Sequence, residues 1–113
     1  MRISNYSFGS ITVAGCSYTS DVILLPDRII PNWWRKSGHL LVPEDLEEVV
    51  AAAPARLVIG TGAAGGMRVP EATLEFLRQE GIEPTVLRTK VACERFNLLA
   101  AEGDVAAALH LTC

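Results

Sequence analysis

Residues 60–65 read Gly-Thr-Gly-Ala-Ala-Gly. That spacing, G-x-G-x-x-G, occurs in dinucleotide-binding folds, where it opens a helix whose N-terminus faces a pyrophosphate. Here the next helix begins only near Pro70, and the following strand ends in Arg88, not in an acid able to hold a ribose hydroxyl. No cofactor is therefore inferred. A smaller chemistry fits the same place. Ligands of open α/β sheets sit outside the carboxyl ends of the strands. Gly60-Thr61-Gly62 leaves one such end and Arg88-Thr89-Lys90 leaves the next. The glycines permit close backbone approach, Thr61 and Thr89 bring hydroxyls, and Arg88 or Lys90 brings positive charge. One expectation is thus a small-anion pocket of Gly60, Thr61, Gly62, Arg88 and Thr89. The competing reading is a tight turn with positive φ beside an ordinary helix cap.

The run Trp33-Trp34-Arg35-Lys36-Ser37-Gly38-His39 is the second unusual feature. Adjacent tryptophans on a loop are costly to expose. Arg35 can stack on an indole or clamp a carboxylate. Trp34 and Arg35 are expected in a pocket wall or a partner-docking surface. The alternative folds the loop back over one end of the sheet, with both indoles in the core.

Other reactive side chains are isolated. His39 and His110 are the only histidines, and neither has a second ligand at a metal spacing, so no metal site is expected. The three cysteines, Cys16, Cys93 and Cys113, form no C-x-x-C pair. Cys93 lies among apolar neighbours on a helix and is expected to be buried and inert. No serine sits in a G-x-S-x-G elbow, and Glu44 to Glu48 read as a helix start. His39 and Glu94 are the only candidates for catalytic acid–base work. The reading leans away from an enzyme without closing the question.

The elements that must position these residues follow from composition and periodicity. The chain has 113 residues, half of them apolar and 20% charged, which is one globular α/β domain over residues 1–113. Ten basic against thirteen acidic residues give a net charge of −3, and the basic ones are dispersed, so nucleic acid is not an expected partner. No apolar run approaches the ~20 residues of a membrane helix, so no membrane insertion is expected. With no apolar leader after Met1 and an odd number of cysteines, a reducing cytoplasm is the expected location.

Ser10 to Val13 alternates polar and apolar as a half-buried strand does. With Ala14-Gly15 as the break, it is expected to form a hairpin with an extended run from Tyr18 to Leu25. Arg28 to Ile30 is a short strand. A helix starts at Pro43 and stops at Pro54. Arg56 to Gly60 reads as a strand covered on both faces. A helix from near Pro70 to Gly81, with Leu74, Leu77 and Phe76 inward, leads to a strand over 83–88. Thr89 is expected to cap a helix from Lys90 to about Ala101, and Val105 to Leu111 is the last strand. Residues 56–88 are then a strand–helix–strand crossover joining parallel strands.

Ordered along nearly the whole chain are Tyr6-Ser7-Phe8-Gly9, Asp21-Val22-Ile23, Trp34-Arg35 with Gly38-His39, Leu57 to Gly62, Thr89-x-x-Ala92, Phe96-Asn97 and His110 to Cys113. As a set they resemble the adipogenesis-associated Mth-domain family, the Mth nine-three-eight-like domain. The resemblance implies a three-layer α/β fold: a mixed central sheet flanked by helices, with an added β-hairpin layer. It also implies action through partners, since relatives include a mitochondrial complex I assembly factor, and it supplies no agreed catalytic residue. The expected function is a non-enzymatic binding or assembly module with an exposed apolar patch on the Trp33–Trp34 loop. The alternative is a small-anion-binding protein or enzyme at the Gly60–Gly62 strand end. The expected partner is accordingly a protein or a small anionic ligand.

Overall fold

In Ser10-Ile11-Thr12-Val13 the two apolar side chains must share one face of a strand. The computed structural model, which describes residues 1–113, buries Ile11 and Val13 and leaves Ser10 and Thr12 half-buried. This strand, β2 (Ser10–Val13), pairs antiparallel with β1 (Ile3–Ser7) on one side and β3 (Cys16–Tyr18) on the other. Ala14 and Gly15 turn the chain with φ of 51° and 82°, the two-residue geometry that matches strand twist.

One expectation is extended and one corrected here. The added layer is a three-stranded sheet, because β1 joins it; its pattern Ile-Ser-Asn-Tyr-Ser fully buries only Ile3 and gives little apolar signal. The extended run from Tyr18 to Leu25 is also divided. Tyr18 ends β3, and β4 (Val22–Leu25) lies in the other sheet. All four residues of β4 are buried, so that strand needs cover on both faces and cannot sit on a half-exposed hairpin.

The central sheet adds β5 (Arg28–Ile30), β6 (Arg56–Gly60), β7 (Glu83–Leu87) and β8 (Val105–Leu109), in the order β5-β4-β8-β6-β7. β4 runs antiparallel to β5 and β8, while β6 runs parallel to β7 and β8. The crossover from β6 to β7 carries α2 (Glu71–Gln79), and that from β7 to β8 carries α3 (Thr89–Ala100). These two connections run in opposite directions along the sheet, one from β6 out to its neighbour β7 and the other from β7 back past β6 to β8. Right-handed crossovers therefore put their helices on opposite faces. The core confirms it: Ala92, Cys93 and Phe96 of α3 pack with Val58, Ala107 and Leu109, whereas Leu77 of α2 packs with Leu57, Ile59, Ala106 and Ala108.

The three-stranded sheet shares the α3 side, contributing Ile3, Ile11 and Val13. Asn97 on α3 fastens it, accepting from Ile3 N–H at 2.9 Å and donating to Ile3 C=O at 2.7 Å. On the other side Pro43–Leu46 forms a 3-10 turn leading into α1 (Glu47–Ala52), which ends at Ala53 with φ 49°. α2 closes at Gly81 (φ 79°), where Ile82 N–H donates back to Leu77 C=O at 2.9 Å, the Schellman arrangement that a glycine permits.

Phe96→Ala is expected to cost about 3–5 kcal/mol, the usual cavity loss for a fully buried ring. Leu98→Ala, on the exposed face of the same helix, should stay within about 0.5 kcal/mol of wild type. Urea midpoints of the two variants give the comparison.

Candidate functional site

β6 and β7 hand the chain to opposite faces from a common edge, outside their carboxyl ends. The structure gathers Gly60, Thr61, Gly62 and Thr89 at that edge. Thr61 N–H donates to Leu87 C=O at 2.9 Å, and Gly62 N–H donates to Thr89 Oγ1 at 2.8 Å. Thr89 does not cap its helix as expected. Arg88 takes the position before the first turn, and the Thr89 hydroxyl, fully buried, donates to His110 C=O at 2.5 Å. A Cβ on Gly60 would lie 2.8 Å from that hydroxyl, so glycine is required by the close approach of β6 to α3.

The loop that follows donates its N–H groups to carbonyls of the chain's own last residues. Ala63 N–H donates to Thr112 C=O at 2.6 Å, and Ala64 and Gly66 N–H groups donate to Cys113 at 3.2 and 2.9 Å. Cβ atoms on Gly62 or Gly66 would run into the Cys113 backbone. Arg88 is exposed, with its side chain alongside Gly65.

Trp34 and Arg35 lie on the other side of His110. The loop divides its two indoles. Trp33 is core, its Nε1–H donating to Asp45 C=O at 3.0 Å, while Trp34 stands 84% exposed. The Arg35 guanidinium stacks 4.7 Å from the Trp33 ring centroid. Its Nε–H donates to Gly38 C=O at 2.9 Å, and its Nη2 meets Asp21 Oδ2 at 2.8 Å. Asp21 also accepts from Leu111 N–H at Oδ1 and from His110 Nδ1 at Oδ2, each at 2.8 Å. Partial burial alone would push the Asp21 carboxyl up. The hydrogen bonds from His110, Leu111 N–H and Arg35 outweigh it and hold the group below its ordinary value.

The centre of this arrangement is therefore Asp21–Arg35–His110, with Arg35 and His110 side chains only 5% and 6% exposed. Neither Asp21 nor His110 stood out as a site residue in the sequence, because they lie 89 positions apart. The only signal was that both fall in pieces shared with the Mth-domain family. Cys93 is buried, and burial with Glu94 nearby raises its thiol to about 12, which keeps it protonated.

Trp34 forms a ridge between two clefts. One, of about 330 Å³, is lined by Asp21, Arg35, Gly38, His110 and Thr112. The other, of about 470 Å³, is lined by Ile30, Lys36, Glu44, Glu47 and Glu48.

These features define a three-layer mixed α/β domain with a polar cluster where the last strand leaves the sheet. The chain belongs to the family described as "Protein of unknown function (DUF498/DUF598)", matched over residues 3–110. It is 30% identical over 109 residues to the mouse NADH dehydrogenase [ubiquinone] 1 alpha subcomplex assembly factor 3, a match covering 94% of this chain and 57% of the mouse protein. Among solved structures it is similar to MT938, with a TM-score of 0.81 and 29% identity over 99% of this chain and 98% of that one. The hypothetical protein PH1505 of Pyrococcus horikoshii shares the fold, with a TM-score of 0.84 at 24% identity and full coverage of both chains.

Thr89→Val keeps the shape but leaves Gly62 N–H and His110 C=O buried without a partner. It is expected to cost about 2–4 kcal/mol, at 1–3 for each buried group left unpaired, against less than about 1.5 for Thr89→Ser; chemical denaturation of both variants decides. The Asp21 carboxyl lies lower folded than unfolded, so its stabilisation is complete above the unfolded value of about 4. It is lost as pH falls through the folded value. Asp21→Asn should therefore be less stable than wild type at neutral pH and should lose stability less steeply on acidification, as thermal melts across pH 2–7 would show.

Proposed function

We propose that this protein is a non-enzymatic binding module that serves the assembly of a protein complex, and that it holds a basic segment of its partner on the face carrying Trp34. The observation that carries this reading is the Trp34 indole, 84% exposed on a loop that is otherwise tied down. Lys36 N–H donates to Asp45 Oδ1 at 3.0 Å, Arg68 N–H to His39 C=O at 2.8 Å, and Leu41 N–H to Arg68 C=O at 2.9 Å. A presented, preorganised indole loses little entropy when a partner covers it.

The neighbouring groove supplies the charge. Glu44 shares Lys36 at 3.5 Å, while Glu47 and Glu48 are exposed and enter no ion pair. An aromatic face beside free carboxylates suits Lys or Arg side chains, through cation–π and ionic contacts together. The assembly role rests on the 30% identity to the mouse factor, whose name places it in the assembly of NADH dehydrogenase. The exposed thiols of Cys16 and Cys113 suit a reducing compartment such as the cytoplasm.

Because Trp33 is buried, quenching by added peptide reports on Trp34. A Lys/Arg-rich peptide should quench saturably, and more weakly at high salt; an acidic peptide of equal length should not. Glu47→Gln with Glu48→Gln should weaken binding about tenfold or more, in line with the loss of two charged contacts, and Trp34→Ala should abolish it by calorimetry. Equal binding of both peptides, or of wild type and Trp34→Ala, would overturn the proposal.

A further inference from the structure

The groove on the Glu44 side of Trp34 already contains a cation of the chain's own. Glu44, Asp45, Glu47 and Glu48 bring carboxylates to its lining, and Lys36 brings the single positive charge. The four carboxylates are not equivalent. Asp45 is committed to the fold, since its two oxygens accept from Lys36 N–H and Val42 N–H, each at 3.0 Å. Glu47 and Glu48 enter no ion pair. Glu44 is engaged from within, with the Lys36 ammonium 3.5 Å from its Oε2.

The fold aims Lys36 at that place. Its N–H bond to Asp45 fixes its backbone beside the Pro43–Leu46 turn, which carries Glu44. Folding gains little from the contact itself. The two side chains are 67% and 59% exposed, and such pairs contribute almost nothing to stability. The Glu44 carboxyl lies below its ordinary value, first through its own backbone N–H and then through the Lys36 charge. The other exposed pairs, Arg56–Glu102 and Arg78 with Glu71 and Glu75, lie outside every cleft of the molecule. Only Lys36–Glu44 is an exposed pair whose two members line a cleft.

We infer that Lys36 is an internal competitor: its ammonium occupies Glu44, where a cation of the partner's basic segment binds, and the partner must displace it. Lys36 has this role only if the groove takes a basic segment, as proposed above. The exchange is one cation for another at a single carboxylate, so no charge is left unpaired when the partner seats. Its size follows from the weakness of the pair. An exposed ion pair is closed about one and a half to five times as often as it is open. A segment that needs Glu44 free therefore binds about two- to sixfold more weakly than it would without Lys36.

The test is calorimetric titration of the Lys/Arg-rich peptide into wild type, Lys36→Gln, Glu44→Gln and the double variant, all at one ionic strength. Lys90→Gln serves as the control for net charge, because Lys90 is exposed on α3, across the central sheet from the groove. Lys36→Gln should tighten binding about two- to sixfold. Lys90→Gln removes the same charge at a distance where salt screens it, and should change binding by less than about 1.5-fold. With Glu44→Gln already present, Lys36→Gln should also have less than about a 1.5-fold effect, because the two residues act as one unit. Equal binding by wild type and Lys36→Gln would overturn the inference and leave the basic-segment groove standing. So would a gain that persists undiminished without Glu44, which is general repulsion, or an equal gain from Lys90→Gln, which is net charge. No binding by either wild type or Lys36→Gln would overturn the groove and the competitor together.

Discussion

The structure depends on where the backbone of His110 to Cys113 finds its hydrogen bonds. This segment continues past the end of β8 in no regular element, yet His110 and Leu111 are buried. Buried backbone groups must be paired, and here each partner comes from a different part of the chain. His110 N–H donates to Gly60 and its C=O accepts from Thr89; Leu111 N–H donates to Asp21 and its C=O accepts from Tyr6 Oη–H and Gly9 N–H. Thr112 and Cys113 accept from the loop after β6. Four short residues thereby join the three-stranded sheet, the central sheet and the glycine loop, which share little regular secondary structure with one another.

That arrangement explains why the polar cluster sits where it does. Asp21 serves the Leu111 backbone with one oxygen and the Arg35 and His110 side chains with the other. Removing a backbone acceptor and a charge partner at once is more damaging than losing either. An ion pair between Arg35 and Asp21 this deep contributes little net stability by itself, because desolvation offsets most of the attraction. Its effect is geometric. It fixes the Trp33–Arg35 loop against the last strand and orients the His110 ring, which meets His39 edge-on at 5.6 Å between centroids.

Much of the central layer was legible because its signals are local. The apolar runs of β4 and β6, Pro43 at a helix start and Gly81 at a helix end each act within a few residues. The meeting of Gly62 and Thr89 at one edge was legible too, since it follows from two crossovers leaving β6 and β7. What stayed hidden was non-local. β1 carries one fully buried residue and is held by Asn97, 94 positions away. Thr89 looks like a cap in sequence, but its hydroxyl is taken by Gly62 and His110. The filling of the glycine loop by Thr112 and Cys113 has no periodicity to announce it. For the same reason Asp21 and His110 were legible only as parts of shared family pieces.

The two tryptophans face opposite ways and so serve different parts of the candidate site. Trp33 and Arg35 turn inward, stacked at 4.7 Å, while Trp34 between them faces out. Geometry alone would accept any polar residue there, and a serine or lysine would be less costly in water than an indole. The outward position is thus dictated by the core, whereas the choice of tryptophan is not. That residual choice stands beside free carboxylates on one flank and the Asp21–Arg35–His110 cluster on the other, and folding does not explain it.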